Sequence, residues 1–268
     1  MRIIQIHLIM LELQKNRIGE INMIDMHCHI IPSVDDGSKS LEVTMEMAKK
    51  AVSLGYEGIF ATSHYIDNSN ELDKVEFKGK VKALNDVLSQ NGINLKIYEG
   101  NEIYYTPNLL ELLQNNKVCT LNNTRYFLME FPMSGFVFDM ENSIRNVIRA
   151  GYIPVIAHPE RYEFVTKDIK KLLPLIEEGA LLQINVGSIN GFYGRTVKSN
   201  VKKLIKYDMV HLIGTDAHDP HKIYDIGEKS LKKLSKLFDK EKLDIILNEN
   251  PKHILNNEYV STWDPKLK

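Results

Sequence analysis

From Met23 onward, short continuous apolar runs alternate with amphipathic stretches of helical period. That is the pattern of parallel strands joined by crossover helices. Seven strands are predicted: Met23 to Cys28, Gly58 to Thr62, Leu95 to Gly100, Tyr126 to Phe131, Ile153 to Ala157, Leu181 to Val186 and Val210 to Gly214. Several lack polar alternation, as strands buried on both faces do. Leu41, Met45, Ala48 and Val52 recur at helical spacing, with Ser40 placed to cap that helix and Gly55 to stop it. Asp73 and Glu76 resemble a capping box ahead of Val81, Leu84 and Leu88, and Ile144, Val147 and Ile148 precede Gly151. Thr196 is placed to cap Val197, Val201, Leu204 and Ile205, and Pro174 predicts a kink or late start in a helix over Asp168 to Glu178. Leu231 to Leu255 reads as closing helices. No repeat, low-complexity tract or linker divides the chain, so residues 23–268 are expected to form one α/β domain.

The first 22 residues differ. Ile3 to Leu13 is apolar but broken by Gln5, His7 and Glu12, and it is shorter than the ~20 residues a spanning helix needs. With no small-residue cleavage site before Met23, residues 1–22 are expected to be a cytoplasmic extension, or to precede a true start at Met23. With 43% hydrophobic residues in 268, the chain can bury a sizeable core. Its 34 Lys and Arg against 35 Asp and Glu give a net charge of -1, which provides no overall footprint for nucleic acid or an anionic membrane. Two cysteines, Cys28 and Cys119, are too few for a disulfide scaffold and suit a reducing cytoplasm.

The strand ends change the picture. His27, His29, Asp36, His64, Glu102, Glu130, His158, Asp216 and His218 all stand at or just beyond predicted strand ends, and in parallel α/β architectures those ends share one face. A lone histidine there is more often a satisfied polar residue than a ligand. Two alternating pairs, His27-x-His29 and Asp216-x-His218, together with further donors at the other strand ends make coincidence a poor account. Five imidazoles and four carboxylates exceed what one tetrahedral zinc can use, so a polynuclear site of manganese, iron or zinc is expected. Cys28, between two candidate ligands, points to the opposite strand face and is read as packing. Such clusters suit phosphoester hydrolysis, because metal ions acidify water and neutralise phosphoryl charge; carbonyl hydrolysis would use the same donors.

Arg161, three residues after His158, is placed to grip a phosphate bidentately, with a solvated loop arginine as the plain alternative. Arg195, beyond the glycines at 191 and 194, is a weaker candidate. Cys119 and Arg125 match the C-x5-R spacing of cysteine-dependent phosphatases. That chemistry needs the loop to open a helix whose amides bind the anion, whereas Arg125 runs directly into a strand, so coincidence is the better reading.

Met-Ile-Asp-Met-His-Cys-His with Asp35-Asp36-Gly37, Thr62-Ser63-His64, Glu102-Ile-Tyr-Tyr-Thr-Pro, Glu130-Phe-Pro, Ala-His158-Pro-Glu-Arg161-Tyr and Thr-Asp216-Ala-His218 closely resemble the PHP (polymerase and histidinol phosphatase) superfamily. The likeness is specifically to its bacterial manganese-dependent protein tyrosine phosphatases from capsule and exopolysaccharide loci, and it runs from about Met23 to the C-terminus. It implies a distorted seven-stranded (β/α) barrel of PHP type holding three divalent metals, manganese foremost. His27, His29, Glu102 and Asp216 would bind one metal. Glu102 would bridge to a second held by Glu130 and His158, and Asp36, His64 and His218 would hold the third. Arg161 matches a phosphate-holding position, and the implied partner is a tyrosine autokinase with a tyrosine-rich tail. Residues 1–22 have no counterpart in the pattern. The loop Asp219-Pro220-His221-Lys222 lacks an arginine some members carry there, where Lys222 could supply a substrate-binding charge. A PHP phosphoesterase acting on a small molecule such as histidinol phosphate, and a metal-holding regulator without activity, are the alternatives.

Overall fold

The computed structural model describes residues 22–135 and 139–267, so residues 1–21 of the expected extension lie outside the described residues. Seven strands form one sheet in chain order: β1 (Met23–Cys28), β2 (Tyr56–Tyr65), β3 (Lys96–Tyr104), β4 (Tyr126–Glu130), β5 (Ile153–Ala157), β6 (Leu181–Asn185) and β7 (Leu212–Gly214). Every neighbouring pair is parallel. The sheet curls until β7 meets β1. There Asp216 N donates to His27 O at 2.7 Å and His29 N to Ala217 O at 3.0 Å, so the seam is stitched at the C-terminal ends of the strands.

All seven predicted strands are present, but β2 and β3 continue further, pairing Ser63 with Asn101, His64 with Glu102 and Tyr65 with Ile103. Their apolar runs end before their hydrogen-bond ladders do. The helix α1 (Leu41–Leu54) has Ser40 accepting from Val43 N, and Gly55 ends it at φ 100°, a conformation in which glycine carries no Cβ penalty. The helix α2 (Lys74–Gln90) is capped by Asp73, which accepts from Val75 N and Glu76 N at 2.9 Å each. The helix α3 (Met140–Arg149) follows β4. One local expectation fails. The helix α4 (Arg195–Lys206) begins one residue before Thr196, with Gly194 at the cap position and no side-chain cap, because the left-handed Gly194 already turns the chain into the helix. Pro174 sits in the first turn of Leu173–Glu178, where its missing N–H costs nothing.

Most buried apolar residues lie between sheet and helices, Cys28 and Cys119 among them. A smaller cluster takes alternate residues of six strands, including Ile24, Met26, Phe60, Leu128, Val155 and Leu212, and fills the barrel interior with Leu121 and Ile254. Because β1 pairs Asp25 with Ile59 and Cys28 with Ala61, a bulge lies between them. The extra residue lets Met26 join the interior cluster while His27 turns toward the open end, the kind of re-aiming that bulges supply. At the opposite end a C-terminal strap crosses the barrel: Ser261 N donates to Asn250 Oδ1 at 2.9 Å, Lys266 N to Tyr207 O at 2.9 Å, and Trp263 stacks on His211.

Candidate metal centre

All nine predicted donors meet at the C-terminal ends of the strands. His27 Nε2 lies 3.2 Å from both His29 Nε2 and Glu102 Oε2, and 3.5 Å from Asp216 Oδ1. His158 Nε2 reaches Glu102 Oε1 at 2.9 Å, and Glu130 Oε1 lies at 3.8 Å. His64 Nδ1 is 3.1 Å from Glu102 Oε2. Asp36, mostly exposed, stands 3.6 Å from His64 Nε2 and 3.3 Å from His218 Nε2. Four overlapping groups could each hold a cation: His29 with Asp36, His64 and His218; His27 with His29 and Asp216; His27 with Glu102 and His158; His64 with Glu102 and Glu130.

The cage is costly to assemble without positive charge. Burial disfavours a charged imidazole at His27, yet Glu102 and Asp216 outweigh it and lift its pKa to about 9. Burial and then the negative Glu102 push Glu130 up to about 8. Glu102 opposes its own burial through His27 and His158, which hold its carboxyl well below the ordinary range. Protons thus stand where cations fit. His158 Nδ1 is buried with no hydrogen-bond partner. Nitrogen and oxygen lone pairs aimed inward at such separations match a manganese, iron or zinc donor set.

Residues outside the predicted set fix the donors. His27 Nδ1 faces Gln183 Oε1 at 3.0 Å, and His29 Nδ1 faces Asp35 Oδ2 at 2.8 Å, which leaves both Nε2 atoms toward the cage, as outer partners of metal-binding histidines do. Asp35 also accepts from His64 N at 3.0 Å and Gly37 N at 2.9 Å. A Cβ on Gly37 would stand 2.3 Å from His29 O, so only glycine fits there. Asp25 accepts from Thr215 N at 2.8 Å and Thr215 Oγ1 at 2.6 Å, tying β1 to the loop that carries Asp216. His158 and Asp216 both have left-handed backbone, φ 33° and 54°, strain of order 1 kcal/mol or more each that tends to collect at functional sites. Asn185 Nδ2 donates to Asp216 Oδ2 at 2.7 Å. A partial signal for these residues was present: Gln183 and Asn185 alternate at a strand end, and Asp25 lies two residues before His27.

The cage opens into a cleft of about 310 Å³ whose rim includes Arg161, Phe192, Tyr193, Asp219 and Lys222. Arg161 Nη1 donates to Asp216 Oδ2 at 2.8 Å, and its guanidinium lies 4.5 Å from the Tyr193 ring centre. Lys222 reaches the rim but pairs with Asp219 at 2.8 Å. Arg195 starts α4, exposed and away from the cleft lining. Cys119 is buried, which pushes its thiol up to about 12, and Arg125 instead donates to Asn257 O in the C-terminal segment.

A parallel barrel bearing a histidine and carboxylate cage at its C-terminal face defines a metal-dependent hydrolase of the PHP and TIM-barrel-like kind. A sequence profile for capsular polysaccharide synthesis, CpsB/CapC, matches residues 23–256. The chain belongs to that family. It is 32% identical over 244 residues to the tyrosine-protein phosphatase YwqE of Bacillus subtilis, covering 91% of this chain and 96% of the relative. It is 34% identical over 251 residues to the putative tyrosine-protein phosphatase CapC of Staphylococcus aureus, covering 91% and 95%. A solved structure from work on YwqE of Bacillus subtilis and CpsB of Streptococcus pneumoniae, described as unique metal-dependent tyrosine phosphatases, superposes with a TM-score of 0.86 at 32% identity. It covers 91% of this chain and 98% of the other. Histidinol phosphate phosphatase of Lactococcus lactis shares the fold at a TM-score of 0.56 and 17% identity, covering 82% and 93%. Among the described residues, no helix is long and apolar enough to cross a membrane.

Proposed function

We propose that this chain hydrolyses phosphotyrosine on a protein with three divalent ions, manganese foremost, in a single domain over residues 23–268. One ion would sit among His27, His29, Glu102 and Asp216, the second among Glu102, Glu130 and His158, and the third among Asp36, His64 and His218. The observation that carries this is the convergence of those nine donors beneath a cleft whose rim bears Arg161.

When bound, such ions acidify water and neutralise phosphoryl charge. The chain's own residues do the rest. Gln183 and Asp35 hold the His27 and His29 rings in one orientation, and Asp25 and Asn185 hold the segment bearing Asp216. Arg161, fixed by Asp216 on one side and the Tyr193 ring on another, has further N–H groups free to grip a phosphoryl oxygen. Lys222, paired with Asp219, adds a point charge at the rim. Phe192 and Tyr193, set edge to face with ring centres 4.9 Å apart, give the rim an aromatic wall suited to an aryl phosphate. The substrate is the phosphorylated tail of a tyrosine autokinase that governs capsule or exopolysaccharide synthesis, met in the cytoplasm.

The test is hydrolysis of a phosphotyrosine peptide by chelator-stripped protein reloaded separately with Mn, Fe or Zn. Restored turnover is expected. Turnover of histidinol phosphate without turnover of the peptide would transfer the site to small-molecule chemistry.

A further inference from the structure

The segment from Val186 to Gly194 has two sides. One lines the cleft through Phe192 and Tyr193. The other meets α4 and the helix α5 (Gly227–Leu237): Asn190 Nδ2 donates to Ser230 Oγ at 2.6 Å, Lys233 Nζ donates to Asn190 Oδ1 at 3.5 Å, and a Cβ on Gly191 would stand 3.1 Å from Lys198 Cδ. Over its whole length α4 carries five cationic residues and no acid, while α5 carries four lysines and one acid, Glu228, which Lys232 takes. Partial burial and then the charges of Lys198, Lys202 and Lys229 hold the Lys233 ammonium below its ordinary range. Among the described residues, no carboxylate pairs with Lys198, Lys202, Lys229 or Lys233. A chain of net charge -1 thus concentrates unbalanced positive charge beside its cleft. Such a field steers and selects anionic partners.

The distance is short. Asn190 and Tyr193 are separated by three Cα steps, at most about 11 Å, so an extended peptide leaving the cleft spans it in about three to four residues. We propose that the ridge formed by Lys198, Lys202, Lys229 and Lys233 docks acidic residues about three to four positions from the target tyrosine, so that the protein selects acid-flanked sites. This rests on the phosphotyrosine assignment above, and the experiment separates the two.

Metal-loaded full-length protein is titrated by fluorescence anisotropy with two labelled peptides that differ only in carrying Glu or Gln at those flanking positions. Each is made with and without phosphate, and turnover of the phosphorylated forms is measured alongside. The Glu peptide is expected to bind about tenfold more tightly at low salt, the preference falling toward one at high salt. It should vanish in Lys202→Glu/Lys229→Glu and fall partway in Lys202→Gln/Lys229→Gln. The double reversal Lys82→Glu/Lys240→Glu, on exposed lysines of other helices, makes the same change in net charge and should leave the preference in place. A preference that survives the ridge reversal, or is lost equally in the control, overturns the proposal. So does loss of binding to anionic phosphatidylglycerol vesicles while the peptide preference stays intact, which would make the ridge a membrane surface. Ridge-dependent binding without turnover under any metal would uphold the docking surface and sink the phosphotyrosine assignment. Turnover of both peptides at equal kcat/KM, with equal binding, would do the reverse.

Discussion

His27 and His211 are both fully buried, one at the end of β1 and the other just before β7, yet their protons behave oppositely. Burial, with the charge of Lys242 adding to it, pushes His211 down to about 4. At His27 the same desolvation is overcome by Glu102 and Asp216, and its pKa rises to about 9. His211 Nδ1 accepts from Leu182 N at 2.9 Å, and its ring packs under Trp263. One end of the barrel therefore buries a neutral imidazole as a packing element. The other gathers negative charge around imidazoles and creates a demand for cations. Carboxylate neighbours separate the two roles; burial does not.

The contrast can be broken at several depths. The largest effect is expected for His27→Ala or Asp216→Ala, which should lower metal-dependent turnover on the order of a thousandfold while circular dichroism still reports a folded barrel. Wild-type rates in either variant would remove the cage from the chemistry. Asp25→Ala should cost about 3 kcal/mol in urea unfolding, because it strands the Thr215 N–H and hydroxyl; an unchanged midpoint would show that the seam does not need this carboxylate. At the other end, the unfolded chain protonates His211 near pH 6.5 while the folded protein resists to about 4. Stability present above about pH 6.5 is therefore lost as pH falls toward 4, by about 3 kcal/mol. His211→Gln should flatten that slope relative to wild type, and parallel slopes would refute the assignment. Arg161→Ala is expected to raise KM about tenfold with metal content retained; loss of metal would instead make it a support for Asp216. Smallest of all, Cys119→Ser should change turnover by less than about twofold, since a buried thiol held near 12 supplies no nucleophile.

The contrast also shows which features sequence makes legible. His211 precedes its strand and His27 ends one, so counting donors after apolar runs chose His27 and passed over His211 without any knowledge of charge. All seven strands were visible because most of their residues are buried, those of β1, β4, β6 and β7 throughout. The polar continuations of β2 and β3 through His64 and Glu102 were not, because a hydrogen-bond ladder can outlast the hydrophobic pattern that announces it. Asp25 and Gln183 stayed hidden for a different reason. Their partners, Thr215 and His27, are 190 and 156 positions away, so the local alternation that includes them does not say what they hold. Asp35 was masked by its adjacent twin Asp36, which faces the cleft while Asp35 turns inward to His29. The cap at Thr196 failed because a glycine conformation replaced a side-chain bond.

The seam has a mechanical meaning. A curled sheet resembles a hoop with one joint, and here the joint is fastened where His27 and His29 on one edge face Asp216 on the other. A cation gripped by these three residues would act as the clasp. Hydrogen exchange at Asp216 and His29 amides should then slow on metal loading more than at Ile156, inside the strand pairing of β5 with β4 and β6. The girth of the barrel and the readiness of its catalytic end would be set by one fastening.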